Sequence, residues 1–281
     1  MPGDVVVKIE NLSFTYSSGE RPALSNINLE IQRGEYLGIM GLNGAGKTTL
    51  GLSINGIVPQ STMGIYEGQV TVEGLDTSTT PVREMARTVG IVFDNPEFQM
   101  SQVSAAEEVA LGLENLGIPN KEMPPRVSEA LSTVGLAGFE ERSPMGLSGG
   151  QQQRLAIASV LAMQPKILFM DEPTSNLDPI GKEEVFELAR KLNREEGLTV
   201  IVAEHESEVL AAYADRIVVL HEGKIVMIGT PTEVFSRGEE LAKIGIRVPQ
   251  ATDLAIALSK SGAKNLPVTT GDAIEWLEAR A

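Results

Sequence analysis

Gly41-Leu42-Asn43-Gly44-Ala45-Gly46-Lys47-Thr48 is the stretch that decides the fold. It satisfies G-x-x-x-x-G-K-[ST] at every fixed position. An apolar strand, Tyr36–Met40, runs into it, and a segment with helical patterning starts near Gly46. Strand, glycine loop and helix in that order open a nucleotide-binding α/β unit. The glycines let the loop wrap phosphate with its N–H groups pointing inward. Lys47 reaches the β- and γ-phosphates, and the Thr48 hydroxyl is placed to ligate Mg²⁺. The helix N-terminus adds a dipole that favours the anion. An ordinary glycine-rich turn would not require the strand before it or the helix after it.

Outward from this loop the chain reads as alternating strands and helices. Residues 5–16 are β-rich and partly alternating, 17–22 form a polar turn, and 26–31 alternate again. Residues 69–73 and 89–93 read as further strands. From Ser104 to about Ser143 the periodicity becomes helical, with breaks expected at Pro119 and at Pro124-Pro125. A helix is expected from about Gln151 to Met163, then a buried strand over 166–170 and a helix from about Ile180 to Arg194. Residues 198–203 form an apolar strand, and 216–220 with 224–228 form a hairpin around His221-Glu222-Gly223. The tail from Gly238 onward, with breaks near Pro249 and Gly262, reads as a small helical appendage. The domain expectation is therefore 1–237, with a helical subdomain over about 104–163, followed by a helical extension over 238–281.

Composition narrows the function classes. The chain has 281 residues, 42% of them hydrophobic and 22% charged, which is a globular balance. It has no cysteine, so disulfide scaffolding and thiolate chemistry drop out and a reducing compartment is expected. Two histidines, His205 and His221, make a multi-histidine metal site a poor expectation. The apolar runs fall far short of the roughly 20 residues that a membrane span needs. Residues 1–10 lack the pattern of a secretory signal, so a cytosolic chain is expected. The formal net charge is −15, which disfavours a sequence-independent grip on nucleic acid.

Three further motifs carry chemistry. Ile167-Leu-Phe-Met-Asp171-Glu172 is a buried strand ending in two carboxylates. Asp171 is placed to hold Mg²⁺ through its water shell, and Glu172 to polarise the attacking water. Alone the pair would be weak, because many core strands end in acids; with the phosphate loop it is strong. Leu147-Ser148-Gly149-Gly150-Gln151 adds a second glycine nest at a helix start, one more than a single nucleotide needs. Gln-Gln-Arg154, then Asp-Glu-Pro-Thr-Ser-Asn-Leu-Asp178, then His205 after a strand, follow in order.

This series resembles the ATP-binding-cassette (ABC) ATPases over nearly all of residues 5–235. The resemblance implies an α/β fold: a RecA-like P-loop core, an antiparallel β subdomain and a helical subdomain, here with a C-terminal helical appendage. It also implies ATP and Mg²⁺ as cofactors. By that likeness Tyr16 stacks on adenine, although a core aromatic at a strand end would look the same. Gly41, Leu42, Asn43, Gly44, Ala45, Gly46, Lys47, Thr48 and Thr49 hold the phosphates. Ser148, Gly149, Gly150 and Gln151 close over the γ-phosphate bound by a second subunit. Asn176, Leu177 and Asp178 link the two sites, and His205 contacts the γ-phosphate. His221 matches no motif and is expected to be solvated.

Asp94 departs from the pattern. The family carries glutamine there, touching Mg²⁺ and the attacking water and relaying the nucleotide state to the transport subunit. Aspartate is one methylene shorter and anionic; it can approach Mg²⁺ through water but is repelled by the γ-phosphate. The surrounding Val92-Phe-Asp-Asn-Pro-Glu-Phe-Gln-Met100 and Glu107-Glu108-Val-Ala-Leu-Gly-Leu-Glu-Asn115 resemble the ATPases of energy-coupling-factor (ECF) importers and the cobalt and nickel uptake systems. That likeness implies import of a micronutrient, a vitamin or a transition-metal cation. It implies a second ATPase subunit paired head-to-tail, a transmembrane coupling subunit and a substrate-binding membrane subunit, with the chain peripheral on the cytoplasmic face. Asp94, Glu97, Glu107 and Glu108 are expected either to line the groove for arginines of the coupling subunit or, for the last two, to sit as dipole-favoured acids in a first helical turn. Two other classes stand beside this one. One is a non-transport ABC ATPase of DNA repair, chromosome structure or translation, disfavoured by the lack of coiled coil and by the acidity. The other is a catalytically weak regulatory module, suggested only by Asp94.

Overall fold

The computed structural model describes residues 4–259 and 266–280. The expected break near Gly262 lies outside them. Among the described residues ten strands form two sheets: β1 (Val5–Tyr16), β2 (Leu24–Gln32), β3 (Tyr36–Met40), β4 (Gly64–Val72), β5 (Leu75–Asp76), β6 (Val89–Val92), β7 (Ile167–Asp171), β8 (Thr199–Glu204), β9 (Arg216–His221) and β10 (Lys224–Gly229). The first sheet is antiparallel, in the order β2-β1-β4-β5. The second runs β10-β9-β3-β8-β7-β6, parallel from β9 to β6 with β10 antiparallel at one edge.

The helices are α1 (Lys47–Asn55), the short α2 (Ile57–Gln60) and α3 (Val82–Met85), α4 (Ala105–Leu116), α5 (Met123–Thr133), α6 (Gly149–Leu161), α7 (Pro179–Glu196), α8 (Ser207–Tyr213), α9 (Pro231–Phe235), α10 (Gly238–Lys243), α11 (Gln250–Leu258) and α12 (Thr270–Glu278). None of these helices is long and apolar enough to cross a membrane.

Strands β3, β7 and β8 are buried along their whole length. Such strands read as continuous apolar runs because both faces of the sheet are covered. Their period-2 alternation still sorts side chains between two cores. Leu37, Ile39, Ile167, Phe169, Ile201 and Ala203 join Phe14, Ile27, Leu50 and Val70 in a core shared with the antiparallel sheet and α1. Tyr36, Met40, Leu168, Met170, Val200 and Val202 face the other way, against Leu155, Phe186 and Leu210 of the helices. Helix α1 lies hard on the sheet at Gly51, where an added Cβ would stand 2.4 Å from the Phe169 ring.

Some boundaries differ from the sequence expectation. Pro124-Pro125 does not break the helical region; it sits in the first turn of α5, where a missing N–H costs nothing. Strand β4 starts at Gly64 rather than 69, because its first half is held by backbone pairing to Tyr16 and Thr15 and carries no apolar alternation. After Gly238 the chain returns to the same core, which takes in Leu241, Ile246 and Val268.

Candidate functional site

The site lies where the C-terminal ends of β3, β7 and β8 meet. The phosphate loop leaves β3 and enters α1 through Gly46, whose φ of 106° is left-handed and whose would-be Cβ meets the Ala23 carbonyl at 2.5 Å. Glycine is required there on both counts. No side chain caps α1, so its first N–H groups remain for an anion. Tyr16, residues 43–49, Phe93, Asp94, Asp171 and Glu172 line one cleft of about 580 Å³. Tyr16, the phosphate-loop residues from Asn43 to Thr49 and three of the predicted acids are therefore brought together, while Gly41 and Leu42 do not line the cleft.

Lys47 is almost wholly buried and its Nζ has three partners. It donates to the Gly41 carbonyl at 2.8 Å and the Leu42 carbonyl at 3.4 Å, and it pairs with Glu172 Oε1 at 2.9 Å. Tyr16 is fixed by a 3.0 Å hydrogen bond between its hydroxyl and Thr49 Oγ1 and by an edge-on contact with Phe14. The Thr48 hydroxyl lies beside the Asp171 carboxyl. Burial pushes the Asp171 carboxyl above its ordinary range, against the lowering effect of the Thr48 hydroxyl. Glu172 follows β7 with a φ of 44°, a left-handed backbone that a glutamate adopts only under constraint, and its N–H donates to the Ala203 carbonyl at 2.9 Å. That constraint turns the carboxylate toward Lys47.

Oxygen donors from Thr48, Asp171 and Asp94 beside a phosphate cradle suit Mg²⁺, a hard cation that keeps water and phosphate oxygens around it. Among the described residues no group of three or more His, Cys, Asp or Glu side chains is placed to hold a metal by itself. The residues therefore fit an ion that arrives with the nucleotide.

His205, just past β8, stands at the rim. Its Nδ1 is 3.8 Å from Glu172 Oε2 and 3.8 Å from Glu204 Oε2. Glu204 is the residue that sequence reading missed, because the apolar strand was ended one position early. It is fully buried, accepts from Thr174 Oγ1 at 3.3 Å and from the His205 N–H at 3.3 Å, and burial pushes its carboxyl up. The signal available was a glutamate between an apolar strand and the site histidine.

Ser148, Gly149, Gly150 and Gln151 are not brought to the phosphate cleft. Ser148 caps α6: its N–H donates to Gln151 Oε1 at 3.0 Å and its hydroxyl accepts from the Gln151 N–H. Gly149 lines a second cleft of about 420 Å³ with Asn176, Leu177 and Asp94. Asp94 thus borders both clefts. The backbone ahead of it is clamped, with the Phe93 N–H donating to Gln99 Oε1 at 3.0 Å and Gln153 donating to the Phe93 carbonyl at 3.4 Å. Ser175 Oγ donates to the Asp94 carbonyl at 3.3 Å. The groove expectation for Glu108 is corrected. Its carboxylate is buried and accepts from the Ser101 and Gln102 N–H groups at 2.8 and 2.9 Å, which closes the preceding loop, while Glu107 stays exposed in the first turn of α4.

The pattern of the family described as "ABC transporter" matches residues 24–175. The chain belongs to the ABC transporter family and is an ABC-type ATP-binding subunit and ATPase. It is 44% identical, over 92% of each chain, to the energy-coupling factor transporter ATP-binding protein EcfA1 of Caldanaerobacter subterraneus subsp. tengcongensis. Among solved structures it is similar to cbiO1 from Clostridium perfringens, part of the ABC transporter complex cbiONQ. That match has a TM-score of 0.74 and 36% identity, and covers 86% of this chain and 95% of that one. It is also similar to the dimeric, post-hydrolysis ATP-binding cassette MJ0796 bound to ADP and Pi, with a TM-score of 0.70 and 34% identity over 80% and 98% of the two chains.

Proposed function

We propose that this chain is the ATP-hydrolysing subunit of an ECF-type importer that takes up a micronutrient, a vitamin or a transition-metal cation. The observation that carries the reading is the separation of the two nests. The cleft holding Tyr16, Lys47, Thr48, Asp171 and Glu172 lacks Ser148–Gln151, which caps a helix elsewhere on the same chain. A site closed on both sides of the γ-phosphate then takes two chains placed head-to-tail, with Lys47 of one facing Ser148 of the partner subunit. The dimeric cassette among the similar structures supports such a pairing.

In that site ATP sits with its base on Tyr16 and its phosphates on the α1 N-terminus and Lys47. Thr48, Asp171 and Asp94 would hold Mg²⁺, which would neutralise charge developing on the phosphates. Glu172 takes the proton of the attacking water as general base, and His205 contacts the γ-phosphate. Likeness to EcfA1 and cbiO1 supports the ECF assignment and, with it, a transmembrane coupling subunit, a substrate-binding membrane subunit and a peripheral position on the cytoplasmic face. Phe98, next to Glu97 in the chain, and Val103 are 89% and 77% exposed, and exposed apolar side chains on an acidic segment suit an arginine-bearing coupling helix.

Purification of the native chain in mild detergent, with mass spectrometry of what accompanies it, tests the assignment. A transmembrane coupling protein and a small substrate-binding membrane protein are expected, together with a second ATPase subunit, identical or a paralogue. Nucleic acid or ribosomal proteins in their place would refute it.

A further inference from the structure

The geometry points to Glu204 as a positioning residue for His205 and for the turn that carries Glu172. This rests on the reading of His205 as the phosphate-contacting histidine. Strand β8 lies between β3 and β7, and Glu204 pairs in register with Met40, the residue before Gly41. Its neighbour Ala203 pairs with Asp171. Glu204 therefore stands at the end of the central strand, directly between the start of the phosphate loop and the two site carboxylates.

Val200, Ile201, Val202 and Ala203 fill the same strand with apolar side chains, and packing alone would be served by one more. A buried carboxylate is instead costly unless its oxygens are used. Both are used on the nucleotide side. Oε1 accepts from Thr174, two residues past Glu172, and Thr174 is itself fully buried. Oε2 accepts the His205 N–H and faces its Nδ1 at 3.8 Å.

The charged groups around Glu204 are few. His205 and Glu206 come from its own loop, Glu172 from the end of β7. Glu206 is paired with Lys182 of α7, and Glu172 with Lys47. Of the two carboxylates that stand equally far from Nδ1, Glu204 is thus the one that, among the described residues, no lysine holds and that packing fixes in place. With Nδ1 turned to these carboxylates, Nε2 is the ring nitrogen left for phosphate. Through its two oxygens, Glu204 sets the imidazole and the Glu172 turn in one register.

The test is a double-mutant cycle on the full chain. Glu204→Gln keeps shape and length and removes the charge. Single-turnover ATP hydrolysis, KM for ATP and nucleotide affinity are measured for Glu204→Gln, His205→Ala and the double variant. Glu204→Gln is expected to lower the hydrolysis rate about 10- to 100-fold, by analogy with the loss when the carboxylate partner of a metal-ligating histidine is removed. Nucleotide affinity and KM should stay within about threefold, and Glu204→Gln should add less than about twofold on top of His205→Ala, because residues acting as one unit are not additive.

A wild-type rate in Glu204→Gln beside a crippled His205→Ala would overturn this inference and leave the histidine's role standing. A wild-type rate in His205→Ala would remove both. Full multiplication of the two losses would also overturn it, since Glu204 would then act independently of His205. If the Gln variant does not fold, Glu204→Asp decides. A slowed rate at unchanged nucleotide affinity supports the assignment, and an unchanged rate overturns it.

Discussion

Lys47 Nζ and Glu172 Oε1 stand 2.9 Å apart. On the proposed reading, the cation that would receive phosphate and the carboxylate that would activate water form one ion pair. Phosphate oxygens and Glu172 compete for a single ammonium group, which is also held by the Gly41 carbonyl. On that reading a γ-phosphate that takes Lys47 would release the carboxylate, so nucleotide binding and the freeing of the base would be one event.

Glu172→Gln removes the competitor and the base together. Hydrolysis should fall by about 10²–10⁴-fold, the usual size of a general-base effect. ATP affinity should be equal to wild type or tighter, and the variant should accumulate as an ATP-bound dimer. Steady-state turnover, fluorescent-nucleotide titration and size exclusion with ATP check this; wild-type turnover would remove Glu172 from its role.

The composite site predicts complementation. Lys47→Ala chains mixed with Ser148→Arg chains rebuild one site whose motifs are all unmutated. Partial hydrolysis should return on mixing, although each variant alone is inactive. No recovery from variants that fold and pair would mean that one chain does not supply the signature to the other.

Tyr16→Ala should weaken ATP binding by about 1–3 kcal/mol, the measured range for a base stacked on an aromatic ring. Tyr16→Phe keeps the ring and loses only the bond to Thr49, and should change affinity little. Equal loss in both variants would assign the effect to the hydroxyl rather than to stacking.

Asp94 borders the phosphate cleft and the cleft at the signature. Asp94→Gln removes a negative charge from beside the γ-phosphate and should speed hydrolysis by the isolated ATPase. If the acid pairs with arginines of the membrane subunits, as proposed, binding to them should weaken. Hydrolysis and co-purification read the two effects separately, and no change in either would leave Asp94 a neutral replacement.

Gly51→Ala tests the docking of α1. The added methyl would stand 2.4 Å from the Phe169 ring in a packed core. Overpacking of this kind typically costs about 1–3 kcal/mol. A fall of several degrees in the thermal midpoint is expected, with ATP protecting the variant less than the wild type.

The phosphate loop, the Asp171-Glu172 pair and the parallel sheet were legible because each is local. A glycine loop between a strand and a helix, or an apolar strand ending in acids, is written in consecutive residues. The side chains of β3, β7 and β8 carried their own alternation, which sets both cores once the strands are side by side. Long-range placement was not legible. Glu108 reads as a surface acid in a first helical turn and is turned inward by the Ser101 and Gln102 N–H groups. Gln99 and Gln153 approach Phe93 from opposite sides of a loop, and nothing in their spacing says so. Glu204 gains its meaning from Thr174, thirty residues away, which reaches it only because β7 and β8 lie side by side. Sequence spacing fixes which face of an element a side chain takes. Which groups then meet across that face depends on strand register and helix docking, and those are set by the packing of the whole core.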